Sequence, residues 1–553
     1  GSDSEVSTDT NIKNTAVVGS SDDTAPNVSK IAGGNIGVFN GLRNPVLSGL
    51  INEGDVFAYD ERDIDSIEGY QINHISYGNF EFSSNSRPIA SNLAGNDRNN
   101  GAGNGAGGII GVATSNLTIY NARTSKVGSV YGRKHAGGII SQGARSLLIT
   151  DVENLKNVQA DTYAGGIVAY VRQDTSITSV KPESDTTNDI TYGSVINKGR
   201  VTATDKDESY AGGITAYVLN VKLFLGENII NEGNIKGSRY SGGLIGGLNA
   251  GQIGSKNILT GVNRGNVQAD KENKEGYAGG LIGLANGSVN IYGKENIGSV
   301  SNAKNAGGLV GHMLGGNLHA GTFTGTKSVT AEIYAGGAVG YMEGGNVETQ
   351  VNVITTGSIE TNLSDKTAAG GIVGFMNNGN SKASLTKAKF SFTTMYVGGL
   401  VGRKQNGGEL SGNVNCPVIG GGGERDADDV YLGATGGIVG LLENCELTDK
   451  VSVSGSDKEV RGKGTVGGLV GKAEGNSSVI DGGTSVWAYY DREKNQVIGG
   501  IVGILYGGSV QGGRYGYAEG DYIVGGVVGK MENNGSIVNK TKGQDEAIKP
   551  SGR

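Results

Sequence analysis

The sequence predicts an all-β protein, an elongated parallel β-helix (β-solenoid) of about 15 glycine-rich coils with irregular terminal caps. Three observations carry this. A short Gly-Gly-aliphatic motif recurs from one end of the chain to the other at a nearly constant step; the segments between copies are short β-branched runs bounded by Asn, Gly and Asp; and no ten-residue stretch carries a helical period. Length agrees, since 553 residues exceed what one compact core usually holds and call for several domains or one repeat array. With 101 Gly, 6 Pro and 36% hydrophobic residues, the chain is too apolar to be disordered, and it lacks the every-third-residue glycine of collagen. Its glycines must therefore serve folded turns and close backbone packing.

The motif reads small or aromatic, Gly-Gly, two aliphatics, then usually Gly. Examples are Ala106-Gly107-Gly108-Ile109-Ile110-Gly111, Ala278-Gly279-Gly280-Leu281-Ile282-Gly283 and Gly467-Gly468-Leu469-Val470-Gly471, and Gly33-Gly34 begins a degenerate copy. From Gly107 onward the steps between first glycines are 30, 28, 47, 30, 37, 28, 29, 34, 28, 38, 31, 32 and 26. Most steps cluster at the low end of this range, which defines the basic unit, and the steps of 47, 37 and 38 are units with an inserted loop. The gap of 74 between Gly33 and Gly107 corresponds to two units, one of them eroded or replaced by a capping segment.

Each unit carries a second pattern before its glycine pair, an Asn or Gly turn and a short alternating segment, as in Asn231-Glu232-Gly233-Asn234-Ile235-Lys236-Gly237. That pattern predicts two or three short strands per unit. Strict alternation through Tyr277-Ala278-Gly279-Gly280-Leu281-Ile282-Gly283-Leu284 leaves neither face polar. A strand apolar on both faces is covered on both. Either a bulge at the glycines redirects the aliphatics, the favoured reading, or one flank is a flat glycine–aliphatic ladder packed by insertions or a partner. The expected organisation is an N-terminal cap with degenerate first repeats at 1–100, repeats at 101–530, and a C-terminal cap or linker at 531–553.

Charge excludes some functions. Lys and Arg number 47 against 54 Asp and Glu, a formal −7 without a basic block, so nucleic acid is not an expected partner. No apolar run of the roughly 18 to 20 residues needed for a membrane helix occurs, so the chain is not expected to span a membrane. Gly1-Ser2 reads as a cloning remnant, which allows a natural signal, anchor or further domain outside this sequence. The separation of Cys416 and Cys445 is close to one repeat step. They are either a disulfide between neighbouring coils or two buried small hydrophobes.

The Gly-Gly-Leu-Val-Gly cores resemble the GLUG motif, a repeat of large bacterial surface and secreted proteins that include streptococcal immunoglobulin A-specific metalloproteases and adhesin-like proteins. The resemblance covers roughly 107–529 in over a dozen copies. It implies an extracellular or cell-surface location and a non-catalytic stalk, accessory or adhesive role, and it transfers no catalytic residue.

A search for chemistry supports that expectation. His-Glu-x-x-His is absent, since the four histidines precede Ile75, Ala136, Met313 and Ala320. No Gly-x-Ser-x-Gly elbow or phosphate-binding loop occurs, and Gly103-Asn104-Gly105-Ala106-Gly107-Gly108 matches Gly-x-Gly-x-x-Gly only through glycine abundance. His312 and His319 have no third ligand nearby. Glu424, Asp426, Asp428 and Asp429 form a solvated acidic loop or, less readily, a calcium site. No catalytic residue, metal site or cofactor is therefore expected.

One segment stands out, Val486-Trp487-Ala488-Tyr489-Tyr490-Asp491-Arg492, with the only tryptophan. As a strand it places Trp487 and Tyr489 on one face, able to stack on a sugar or anchor a protein. Trp487, Tyr489 and Tyr490 are the candidate ligand-binding residues, and Tyr515, Tyr517 and Tyr522 in the next coil extend the surface. The expected function is a scaffold or adhesin segment, not an enzyme, that presents an extended surface to a host or bacterial surface protein or glycan. The alternatives are a substrate-positioning domain of a secreted protease and, more remotely, a polysaccharide lyase or hydrolase.

Overall fold

The computed structural model describes residues 12–14, 31–39, 46–54, 56–58 and, with short interruptions, 105–538. Among the described residues the regular elements are strands, and no helix is long and apolar enough to cross a membrane. The fold is the expected all-β parallel solenoid, with about 11 turns instead of about 15. A separate third side exists as seven strands early in the chain and as two four-stranded sheets late in it, whereas between them long strands such as Asn346–Thr361 run through the corner. Backbone contacts divide the chain into two units, Gly1–Val267 with Leu281–Gly283, and Gln268–Gly280 with Leu284–Arg553.

In the first unit a coil contains more strands than its sequence suggests. One coil runs through Tyr163–Gly165, Val168–Val171, Thr175–Ile177, Val195–Asn197 and Val201–Ala203. Each strand pairs in parallel with its counterpart in the next coil, as Tyr163, Ala164 and Gly165 do with Tyr210, Ala211 and Gly212. Alternation points Val195, Asn197, Val201 and Ala203 inward, while Ile196 and Thr202 are half-buried. The step of 47 is confirmed as one coil with an insertion, because these rungs pair directly. The step of 74 is not two units. Ile31–Gly33 pairs directly with Gly105–Gly107, so a single coil spans it, and 59–104 lie outside the described residues.

The glycine pair makes a bend. The second glycine and the first aliphatic interrupt the strand, so both aliphatics, such as Ile167 and Val168, reach the interior. The two flanking strands then fold toward one another. A Cβ on Gly246 would lie 2.9 Å from the Ala211 nitrogen and 3.0 Å from the Tyr210 carbonyl carbon, so only a residue without one allows this approach. Both faces of the motif are thereby buried, one in the core and one in the re-entrant corner.

Two stacked ladders run along the first unit. Asn154 donates through Nδ2 to Asn197 Oδ1 at 2.8 Å, Asn197 to Asn231 at 2.7 Å, and Asn231 to Asn263 at 2.7 Å. Each amide also donates to the carbonyl two residues on, such as Gly199 at 3.0 Å from Asn197. Burying an amide is costly unless it is paired, and the repeat supplies a pair for each rung. In the re-entrant corner, His135, Tyr163, Tyr210 and Tyr240 stack with centroids 4.9, 5.4 and 5.1 Å apart, and Tyr170 stacks on Tyr217 at 5.6 Å.

The second unit repeats the plan. One coil runs Ala434–Gly436, Val439–Glu443, Glu446–Leu447, Val451–Val453 and Glu459–Gly462, again five strands. The final described coil, with Ile523–Gly525, Val528–Glu532 and Ser536–Val538, is in register with its predecessor. Its inward positions Val524, Met531 and Ile537 are exposed, whereas the residues they stack on, Ile498, Leu505 and Val510, are fully buried.

Candidate functional site

The aromatic segment flagged by the sequence is the strand Trp487–Tyr490, in a four-stranded parallel sheet on one side of the second unit. Its neighbours are Glu459–Gly462 and Tyr517–Glu519. Ala488 is fully buried in the core, so Trp487 and Tyr489 share the outer face as alternation predicts. Their rings are 6.4 Å apart and nearly perpendicular at 87°. Trp487 is 45% exposed, an unusual state for so large an apolar side chain.

Register assembles the rest of this face from residues distant in sequence. Glu459 sits beside Trp487 and Arg461 beside Tyr489 on one neighbouring strand, and Glu519 flanks Tyr489 on the other. The Arg461 Nε lies 3.4 Å from a Glu459 carboxylate oxygen. Partial burial first, then the carboxylates of Glu519 and Glu459, push the Tyr489 hydroxyl above its ordinary range, so it stays a protonated donor at neutral pH. None of the three charged residues belongs to a motif. The available signal was spacing, since Glu459 precedes Trp487, and Glu519 follows Tyr489, by close to one repeat step each.

The other sequence candidates do not join this face or are not described. The side chains of Tyr490 and Tyr517 and the whole of Tyr515 lie outside the described residues, and Tyr522 is exposed in the next coil. His312 is buried and stacked on Tyr277 at 4.2 Å, whereas the His319 Nδ1 pairs with Glu348 at 2.8 Å, so the two histidines have separate roles. In the acidic loop, Asp426 Oδ1 accepts from the Asp428 and Val430 amides, both at 2.9 Å, and Asp429 pairs with Arg425 at 2.7 Å. The Arg425 guanidinium lies 4.0 Å from the Tyr431 ring centre. These carboxylates organise their own loop, and among the described residues no group of three or more His, Cys, Asp or Glu is placed to hold a metal.

Cys416 and Cys445 are buried free thiols, not a disulfide. The reason is phase. The step between their coils is the inserted one of 38, so Cys416 stands twice as far along the chain from Gly398 as Cys445 does from Gly436. Cys445 donates weakly to the Lys404 carbonyl at 3.7 Å, and burial raises the Cys416 thiol above its ordinary range.

Comparison with known proteins adds no assignment: no family model matches the chain, and no curated protein and no solved structure matches it either.

Proposed function

We propose that this chain is a non-catalytic scaffold segment of an exported bacterial surface protein, and that it engages a host or bacterial surface ligand through the outer face carrying Trp487 and Tyr489. The observation that carries this reading is Trp487 itself, held half exposed above a fully buried Ala488 on a paired strand. Exposing a large apolar ring in water is unfavourable, so such a ring on a rigid element is where binding free energy concentrates when a partner covers it. The GLUG resemblance supports the exported location and the adhesive role. The test is an array of glycans and host surface proteins probed with the whole chain and with Trp487→Ala. Capture lost in the variant supports the reading. Equal capture by both chains, or capture by neither, removes this face from it.

A further inference from the structure

We infer that the outer face of the sheet Val418–Ile419, Glu459–Gly462, Trp487–Tyr490 and Tyr517–Glu519 binds a neutral hexopyranose unit of a glycan; this rests on the reading above and specifies its ligand. Three features select a sugar. First, the two rings stand at 87°, so a ligand meets the flat face of one and the edge of the other, and the Tyr489 hydroxyl is a protonated donor. A pyranose has an apolar face of C–H groups and a rim of hydroxyls, and it needs both kinds of partner. Second, Glu459, Arg461 and Glu519 stand beside the rings, with Tyr517 in register next to Trp487, and the three charged residues together accept and donate hydrogen bonds to hydroxyls. A protein anchor would call for aliphatic surface around the aromatic centre, whereas charged residues stand beside the rings and the half-buried Ile419 lies one strand further out, next to Arg461.

Third, charge decides which sugar. One guanidinium, already beside Glu459 at 3.4 Å, stands against two carboxylates, and adding Lys458 at the entry to its strand only balances them. Among the described residues the face thus has no net positive charge with which to collect a uronate, sialylated or sulfated chain. The strand framework is paired on both sides of Trp487–Tyr490, so the rings are held in place before the ligand arrives.

Because Trp487 is the single tryptophan, its emission reports on this face alone. The whole chain is titrated with cellotetraose, chitotetraose, mannotetraose and, as the anionic arm, a hyaluronan tetrasaccharide, each to about 10 mM. The expected result is a saturable shift of emission to shorter wavelength with at least one neutral probe. Calorimetry with the same probe on Trp487→Ala, checked for unchanged far-UV circular dichroism, is then expected to show binding at least about tenfold weaker. No response to any neutral probe, or a response to hyaluronan alone, overturns the inference. Trp487-dependent capture of a protein on the array without any sugar response overturns it too, while leaving the binding-scaffold reading intact; absence of all Trp487-dependent capture removes both.

Discussion

Replacing Asn197 by alanine tests whether the buried amide ladder holds the first unit together. Asn197 is fully buried; its Oδ1 accepts from Asn154 at 2.8 Å, and its Nδ2 donates to Asn231 at 2.7 Å and to the Gly199 carbonyl at 3.0 Å. Truncation strands the Asn231 and Gly199 oxygens, each at about 1–3 kcal/mol, and leaves Asn154 Nδ2 with only the Lys156 carbonyl at 3.0 Å. Relaxation of the site offsets part of this, so the expected cost is about 3 kcal/mol or more. Lys198→Ala, one residue away, is the control. Its 2.7 Å pair with Glu153 is largely exposed, and the expected cost is at most about 1 kcal/mol. Amide hydrogen exchange is the suitable assay, because in a stacked repeat the loss is local and the lone tryptophan lies in the other unit. Protection should fall in Val152–Asn154, Val195–Asn197 and Ile229–Asn231 and persist in the second unit. Equal effects of Asn197→Ala and Lys198→Ala, or a cost below about 1 kcal/mol, refute the reasoning.

Two further predictions concern the re-entrant corner and the bend. Burial, and next the Lys134 charge, hold the His135 imidazole down to about 3, so the folded chain resists protonation where the unfolded chain takes it up. Stability is therefore lost as pH falls from about 6.5 toward 3, by roughly 1 kcal/mol per pH unit, relative to His135→Phe, which keeps the stack on Tyr163; denaturation of both at pH 7, 5 and 4 measures the difference, and parallel pH profiles contradict the assignment. Gly166→Ala would push a methyl into the Gly213 carbonyl oxygen and within 2.5 Å of the Asn197 amide carbon, and a loss of roughly 3 kcal/mol is expected in urea denaturation, whereas a tolerated alanine would mean that the coils do not approach as described.

Much of this molecule follows from local pattern. A nearly constant repeat step and β-branched runs between glycine pairs demand stacked short strands, and alternation alone puts Trp487 and Tyr489 on one face. These properties depend only on neighbours along the chain. What depended on stacking was not legible. Five strands form in a coil where two or three were expected, because strands as short as Tyr163–Gly165 are defined by their partners above and below and not by any pattern of their own. Asn231 reads as a turn residue, yet it points inward as Asn197 does, because only a second coil supplies the amide that offsets the cost of burial. The step of 38 puts the cysteines out of phase, although their separation matches the repeat. Glu459, Arg461 and Glu519 reach the aromatic face only through the register of parallel strands. Sequence periodicity thus determined the fold class and the aromatic face, and the register between coils decided which side chains meet, since that register sums every insertion along the chain.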